Sequence, residues 1–249
     1  MEPRLIIIPE VDSISGIGHA FTTRFNGLGA RTIGMKTPKD WEAVAAVFGI
    51  GPDRLVTVNQ VHGETIVNVD ERNFHSLSTV QADALITNAP RIAIGVETAD
   101  CVPVLLIDPK TPAVGAVHAG WRSTVLNIVG KTVGKMQSSF GSDPGRMIAA
   151  IGPAIGPECY EVDEPVMGPV RAAFPFWNDV ASPKGNNRWN LDLVKLNRLE
   201  LLQAGLAAEN IHSLGVCTSC RRDMFYSFRA EGRTGRMLSV VMITNNKHQ

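Results

Sequence analysis

Three residues in this chain could share one chemical task. His62 lies in VNQVHGET, Cys101 in GVETADCVPVLLIDP and His118 in AVHAGWRST. Each is read at the end of an apolar run, with a small or polar neighbour beside it. Two imidazoles and one thiolate suit Zn²⁺ and would also suit copper. Three protein donors with a fourth position open is the ligand count of a catalytic zinc site. There the ion brings the pKa of a bound water down to about 7. The three are 39 and 17 residues apart, so no local ligand motif joins them. From spacing alone, two buried, hydrogen-bonded histidines and a small buried thiol explain the same residues more simply.

Other residues could serve such a site. Glu97 and Asp100 are the carboxylates nearest to Cys101, and Asn59 and Gln60 precede His62. Arg24 in TTRFNG, Arg122 after Trp121, and Arg229, Arg233 and Arg236 in SFRAEGRTGRM could grip an anion through bidentate forks. Taken singly, each arginine reads equally well as a solvated surface charge. Cys217 and Cys220 form a lone CxxC. A structural zinc site would need a second pair, and Cys159 supplies one ligand at most. The stretch that follows, through Arg222 to MFYSF, reads as a loop entering a strand.

The elements that must position these residues are short strands mixed with helices. RLIII, IGHAFTT, RLVTVNQ, TIVNV, DALIT, IAIGVET, VPVLLID, AVGAVHA, MIAAIG and LSVVMI read as strands. Several are continuous apolar runs, which suits strands covered on both faces. TPKDWEAVAAVFG reads as a helix with Thr37 as cap, Pro38 and Asp40 in its first turn and Gly49 as its stop. STVLNIVGKTVGKMQSSFG reads as one helix from Ser123, its cap, to Gly141; Gly130 and Gly134 weaken it or admit a close neighbour. NLDLVKLNRLELLQAG reads as a third, from Asn190 as cap to Gly205. ASPKGNNRW, Ala181 to Trp189, reads as a surface loop. There is no strict βαβ alternation, so an α+β fold is expected: a single-domain α/β sandwich with mixed β-sheets over residues 1–249.

Bulk properties narrow the function class. Among 249 residues, 24 basic and 24 acidic side chains give a net charge of zero. That excludes a nucleic-acid glove or a polybasic membrane anchor. The apolar run Leu5 to Ile8 is too short for a signal segment or a membrane span, so a cytoplasmic protein is expected. Four cysteines in a chain this long do not make a disulfide framework. No nucleotide fingerprint is present: NGLGARTIG lacks GxGxxG and a Walker lysine, and GVETADC is not a nucleophile elbow.

Seven stretches together carry a resemblance: TTRFNG, VNQVHG, ADALITN, IAIGVETADCVPVLLIDP, VGAVHAGWRST, IGPAIGPECYEV and FYSFRAEGRTGR. In this order, over about residues 19 to 243, the sequence resembles the YfiH-type laccase-domain family, also described as purine nucleoside phosphorylase or polyphenol oxidase proteins. The resemblance implies that His62, Cys101 and His118 are metal ligands, with zinc as the associated ion and copper in the family's older description. It implies phosphorolysis of adenosine, inosine and methylthioadenosine, and adenosine deamination. Two departures stand out. TIGMKTPKD replaces the family's SLNLG-like stretch, and Phe228 and Ala230 stand where the C-terminal motif usually carries Tyr and a second Arg.

Four functions follow for testing. The first is a zinc-dependent purine nucleoside enzyme. Cys101, His118, Asp100 and Arg122 would be catalytic, Arg122 and then Arg229 would hold phosphate, and Asn59, Gln60, Arg24 and Glu97 would contact substrate. Its partners are nucleosides and phosphate, in a monomer or homodimer. The second is a copper polyphenol oxidase. A multicopper centre needs about ten histidines, and this chain has six and no HxH pair. The third is a metal-free hydrolase with Cys101 as nucleophile and His118 as base. The fourth is a binding module without catalysis.

Overall fold

A computed structural model of the chain describes residues 5–24 and 38–244. In chain order its strands are β1 Leu5–Ile6, β2 Ile17–Thr22, β3 Leu55–Val56, β4 Ile66–Asn68, β5 Ala84–Thr87, β6 Ala93–Thr98 and β7 Val102–Asp108. Then come β8 Ala113–Ala119, β9 Ile148–Ile151, β10 Glu161–Asp163, β11 Ala181–Gly185, β12 Arg188–Leu191, β13 Ile211–Ser213 and β14 Met237–Ile243. The helices are α1 Pro9–Asp12, α2 Pro38–Val47, α3 Trp121–Val125, α4 Ile128–Phe140, α5 Glu164–Ala173, α6 Leu193–Gln203 and α7 Phe228–Glu231.

The strands form three sheets. A five-stranded sheet runs β1-β2-β14-β6-β3, with β3 parallel to β6 and the other pairs antiparallel. A six-stranded sheet runs β13-β9-β7-β8-β5-β4, with parallel pairs at both ends. A small antiparallel sheet runs β10-β12-β11. This is the expected mixed-sheet α/β sandwich.

The continuous apolar runs have the predicted cause. In β7, Val104 and Leu106 join a core shared with α4, α5 and α6, while Leu105 and Ile107 face the opposite way. That second core lies between the two large sheets, where they meet Ile94, Val96 and Val241 of β6 and β14. Side chains alternate across a strand, so a strand with a core on each face must be apolar at every position. A third core packs Leu238, Val240 and Met242 of β14 against Val44 and Ala45 of α2, with Trp41 and Phe48 beside them. Truncating a fully buried residue such as Leu106 to Ala is expected to destabilise by about 2–5 kcal/mol.

Local geometry corrects five expectations. The long helix from Ser123 is two helices, α3 and α4, broken at Asn127. Asn127 adopts a left-handed backbone, φ 57°, and its side chain caps α4 by accepting from Gly130 N. Gly130 is needed there, since a Cβ would lie 2.4 Å from Asn127 Oδ1. Gly120 precedes α3 at its N-cap, so Ser123 is a buried residue inside the first turn and not a cap. In α6 the cap is Asp192, which accepts from Lys195 N; Asn190 belongs to β12.

The stretch Ala181 to Trp189 is not a loop but the β11–β12 hairpin. Its turn residues Asn186 and Asn187 have φ 52° and 53°, the conformation a two-residue hairpin turn requires and asparagine tolerates. The segment after Cys220 enters the short α7 before β14, not a strand directly. The cap Thr37, the side chain of Asp40 and the departing TIGMKT stretch lie outside the described residues. Among the described residues no helix is long and apolar enough to cross a membrane.

Candidate metal centre

Two of the three candidate ligands lie where the chain changes sheets, and strand pairing brings the third to them. His62 lies between β3 of the five-stranded sheet and β4 of the six-stranded sheet. Cys101 lies in the link from β6 to β7, which makes the same crossing. β7 and β8 pair antiparallel, with Val102 opposite Ala119 and Pro103 opposite His118. That register brings the start of β7, and so Cys101, to the end of β8, where His118 sits. The donor atoms of the three lie within 4.8 Å of one another. His62 Nε2 is 3.8 Å from Cys101 Sγ, and the two imidazole rings are 4.8 Å apart at 75°. Bond lengths of about 2.0–2.3 Å to one ion place neighbouring donors about 3.3–3.8 Å apart, so the set fits a metal with little movement.

The strand read through Gln60 is shorter than the sequence suggests. β3 stops at Val56, and His62 sits in the loop beyond it in a left-handed conformation, φ 60°. Asp83 holds that loop. Its fully buried carboxylate accepts from Val61 N at 3.2 Å, His62 N at 2.9 Å and Gly63 N at 2.6 Å. The same carboxylate accepts from His118 Nδ1 at 2.7 Å. β5 pairs with β8 with Ala84 opposite Val117, which places Asp83 beside His118; His118 N donates to Asp83 O at 2.8 Å. One carboxylate therefore fixes both histidines. It also leaves His118 Nε2 as the donor toward the cluster, the arrangement that orients metal-bound histidines.

Asp83 was not among the residues singled out from sequence. Its signal was a carboxylate at the head of the mostly apolar strand in ADALIT, where a buried acid must find partners. Gly120 packs directly against two of the ligands. A Cβ there would lie 2.7 Å from His62 Cδ2 and 3.1 Å from Cys101 Sγ, so the glycine makes room for the ligands themselves.

The electrostatics follow from the packing. Burial pushes the Cys101 thiol up, but the charge of His118 and hydrogen bonds from both histidines outweigh it and bring it down to about 6. For His118, burial favours the neutral ring, while the Cys101 thiolate and Asp83 favour the charged one and win. Burial raises the Asp83 carboxyl, but its bonds from His118, Gly63 and His62 hold it below its ordinary value.

A cavity of about 780 Å³ opens over the three donors. Of the other residues expected at the site, Asn59, Gln60, Glu97, Asp100, Arg122 and Arg229 line it. Their roles differ from expectation in three cases. Arg24 is not on the cavity. It bonds the carbonyls of Arg222 and Phe225, pairs with Glu231 at 3.0 Å and stacks on Tyr226, tying β2 to the C-terminal segment. Gln60 donates to Glu97 O at 2.8 Å and accepts from Glu97 N at 2.7 Å, clasping its loop to β6 rather than offering its amide to a substrate. Asp100 has φ 91°, and both its oxygens are engaged, by Thr218 Oγ1 at 2.6 Å and Arg229 N at 2.7 Å. These bonds anchor the cavity wall to Thr218 and to α7.

Arg122 stacks on Trp121, its Cζ 4.2 Å from the ring centre, and among the described residues no carboxylate pairs with it. Arg229 bonds Glu161 O and lies over Tyr160. Tyr160 and Phe228, neither expected from sequence, add aromatic surface to the cavity, and Phe228 is 55% exposed at it. Burial pushes the Tyr160 hydroxyl pKa upward, so it stays protonated.

Fold and site together define a mixed-sheet α/β protein with a His₂Cys candidate metal centre at the crossing between two sheets. Residues 35–244 match the family described as multi-copper polyphenol oxidoreductase laccase, and the chain belongs to it. A purine nucleoside phosphorylase, YlmD, from Bacillus subtilis strain 168 is 36% identical over 212 residues, 82% of this chain and 76% of that one. An adenosine deaminase, RL5, from an unknown prokaryotic organism is 36% identical over 197 residues, 76% and 74%. The crystal structure of a hypothetical protein YfiH from Bacillus licheniformis superposes with a TM-score of 0.89 at 29% identity, covering 97% of each chain.

Proposed function

We propose that the chain is a metal-dependent purine nucleoside enzyme. It takes adenosine, inosine or methylthioadenosine with phosphate and releases the base and ribose 1-phosphate, or methylthioribose 1-phosphate. Deamination of adenosine is a second activity of the same site. The observation that carries this reading is the buried Asp83–His118 pair, which presents a preset donor on the floor of a nucleoside-sized cavity. The names of the two relatives support the substrate class.

In phosphorolysis a phosphate oxygen bonds to the ribose C1′ as the bond from C1′ to the base breaks. The electron pair leaves with the base, which takes up a proton. Arg122, free of any carboxylate among the described residues, holds the phosphate, with Arg229 second. Phe228 and Trp121 flank the base, and Asn59 offers it a polar edge. Asp100, Gln60 and Asp83 are positioning residues. His62, Cys101 and His118 would hold a zinc ion, which would supply Lewis-acid chemistry to a substrate oxygen or nitrogen. Six histidines without an HxH pair argue against a multicopper oxidase within one chain. Incubation of zinc-loaded protein with inosine and phosphate is expected to yield hypoxanthine and ribose 1-phosphate. No turnover with zinc fully loaded would sink the proposal.

One observation favours a second reading. Cys101, His118 and Asp83 stand in the order nucleophile, base and orienting acid. As a metal-free hydrolase the protein would react fastest with thiol reagents when stripped of metal and would keep its activity in that state. The first reading requires that activity return only with metal.

A further inference from the structure

A second ligand cluster lies on turns that the proposed reaction does not use. Cys159 ends the short turn Pro157–Cys159, before β10. Cys217 and Cys220 lie on one turn, closed by Arg221 N donating to Cys217 O at 3.0 Å. The two turns are stitched together by the parallel bridge between Ala154 and Cys217 and by Thr218 N donating to Ala154 O at 3.0 Å. The CxxC pair alone offers two ligands; the fold adds Cys159. All three sulfurs lie within 4.8 Å of one another, and Cys159 Sγ is 3.4 Å from Cys220 Sγ.

The surroundings of Cys217 are those of a metal-bound thiolate. Gly156 N donates to its sulfur at 3.1 Å. That main-chain N–H favours the charged thiolate, and the closed turn brings Cys220 round beside it. Gly156 permits the approach, because a Cβ there would lie 3.2 Å from Cys217 Cβ and 3.4 Å from its sulfur. A single ion at about 2.3 Å from each sulfur needs them about 3.8 Å apart, close to what the turns provide. Cys220 is exposed, so an ion reaches the site without unfolding.

We propose that Cys159, Cys217 and Cys220 form a second metal site, separate from the His₂Cys centre, that takes a thiophilic d¹⁰ cation, Cu⁺ or Zn²⁺, through three thiolates. Three soft donors suit Cu⁺ in a trigonal site, and Zn²⁺ with solvent as its fourth ligand. The ion would brace the cavity wall. Thr218, next to Cys217, holds Asp100, and Tyr160, next to Cys159, lines the cavity.

The test counts metal and sulfur, not turnover. The full chain is stripped with chelator, reduced, and loaded separately with Zn²⁺, Cu⁺ or Co²⁺ under exclusion of oxygen. Wild type is expected to bind two equivalents of Zn²⁺ or of Cu⁺. His62→Ala/His118→Ala is expected to keep one, with thiolate-to-cobalt absorption near threefold that of a single thiolate. Cys220→Ser, an exposed and mild change, is expected to lose the second equivalent and keep the first. Retention of either d¹⁰ ion at the three thiolates supports the site, and which ion resists chelator longer decides between them. One equivalent in wild type, two in Cys220→Ser, or a Cys159–Cys220 disulfide in the freshly isolated protein overturns it.

Discussion

The two ligand clusters are built from different kinds of support. At His62, Cys101 and His118 the donors are set by strand register: β5, β7 and β8 lie side by side, and a buried carboxylate binds both histidines. At Cys159, Cys217 and Cys220 the donors ride on turns, steadied by the Gly156 main-chain N–H and one parallel bridge. A sheet between two packed cores cannot shift one residue without shifting its neighbours. A turn at the surface can. The first cluster is therefore suited to hold one geometry for chemistry, the second to adapt to an ion and brace what lies around it.

The largest expected effects fall on the first cluster. His118→Ala or Cys101→Ser should lower inosine phosphorolysis by on the order of 10³-fold, read by chromatography of hypoxanthine, with circular dichroism near wild type. Activity within tenfold of wild type would remove these residues from the reaction. Asp83→Asn should weaken metal binding by about 10–100-fold, measured by competition with a chromophoric chelator. An unchanged affinity would mean that the carboxylate serves the fold alone.

Alkylation gives the pH test. In metal-free protein the Cys101 thiolate should persist down to about pH 6, so its reaction with iodoacetamide should still be fast at pH 7 and fall off near pH 6. Peptide mapping resolves it from the other three cysteines, and bound metal should block it. A fall-off near the ordinary thiol range would contradict the charge arrangement described for the site.

Matched glycine substitutions compare the clusters directly. Gly120→Ala should displace His62 and weaken metal binding there severalfold or more, because the new Cβ meets a ring at 2.7 Å. Gly156→Ala, whose Cβ meets Cys217 at 3.2 Å, should have the smaller effect, absorbed by the turn. Equal effects would erase the distinction between a rigid and an adaptable site.

A last effect, on stability rather than activity, concerns a buried acid without Asp83's partners. Glu200 in α6 is 2% exposed, neither side-chain oxygen has a hydrogen-bond partner among the described residues, and burial pushes its pKa up to about 8. The folded state holds this proton more tightly than the unfolded chain. The destabilisation is thus absent below about pH 4.5 and grows as pH rises toward 8, by up to about 1.4 kcal/mol per unit. Glu200→Gln should raise the melting temperature at pH 8 and change it little at pH 5. Asp83→Asn should lower it at pH 8. A Glu200 variant with the same shift at both pH values would refute this.

The sequence by itself determined the donors and the kind of fold. Apolar runs such as VPVLLID are long enough to show that strands carry a core on each face, and His62, Cys101 and His118 are of types rare enough to be noticed. Helix stops at Gly49, Gly141 and Gly205 were also legible, since their positive φ values of 63°, 75° and 98° suit glycine. Only the tertiary structure decided which residues the donors lean on. Asp83 reaches His118 through a strand pairing 35 positions distant in sequence, and Cys159 reaches Cys220 across 61. Arg24 and Gln60, plausible as ligands by type, turned out to serve the frame because carbonyls lay within reach of their donors. Residue type sets what a side chain can bond, but the register of distant strands and the closure of turns set what it meets, and neither is a local property of the chain.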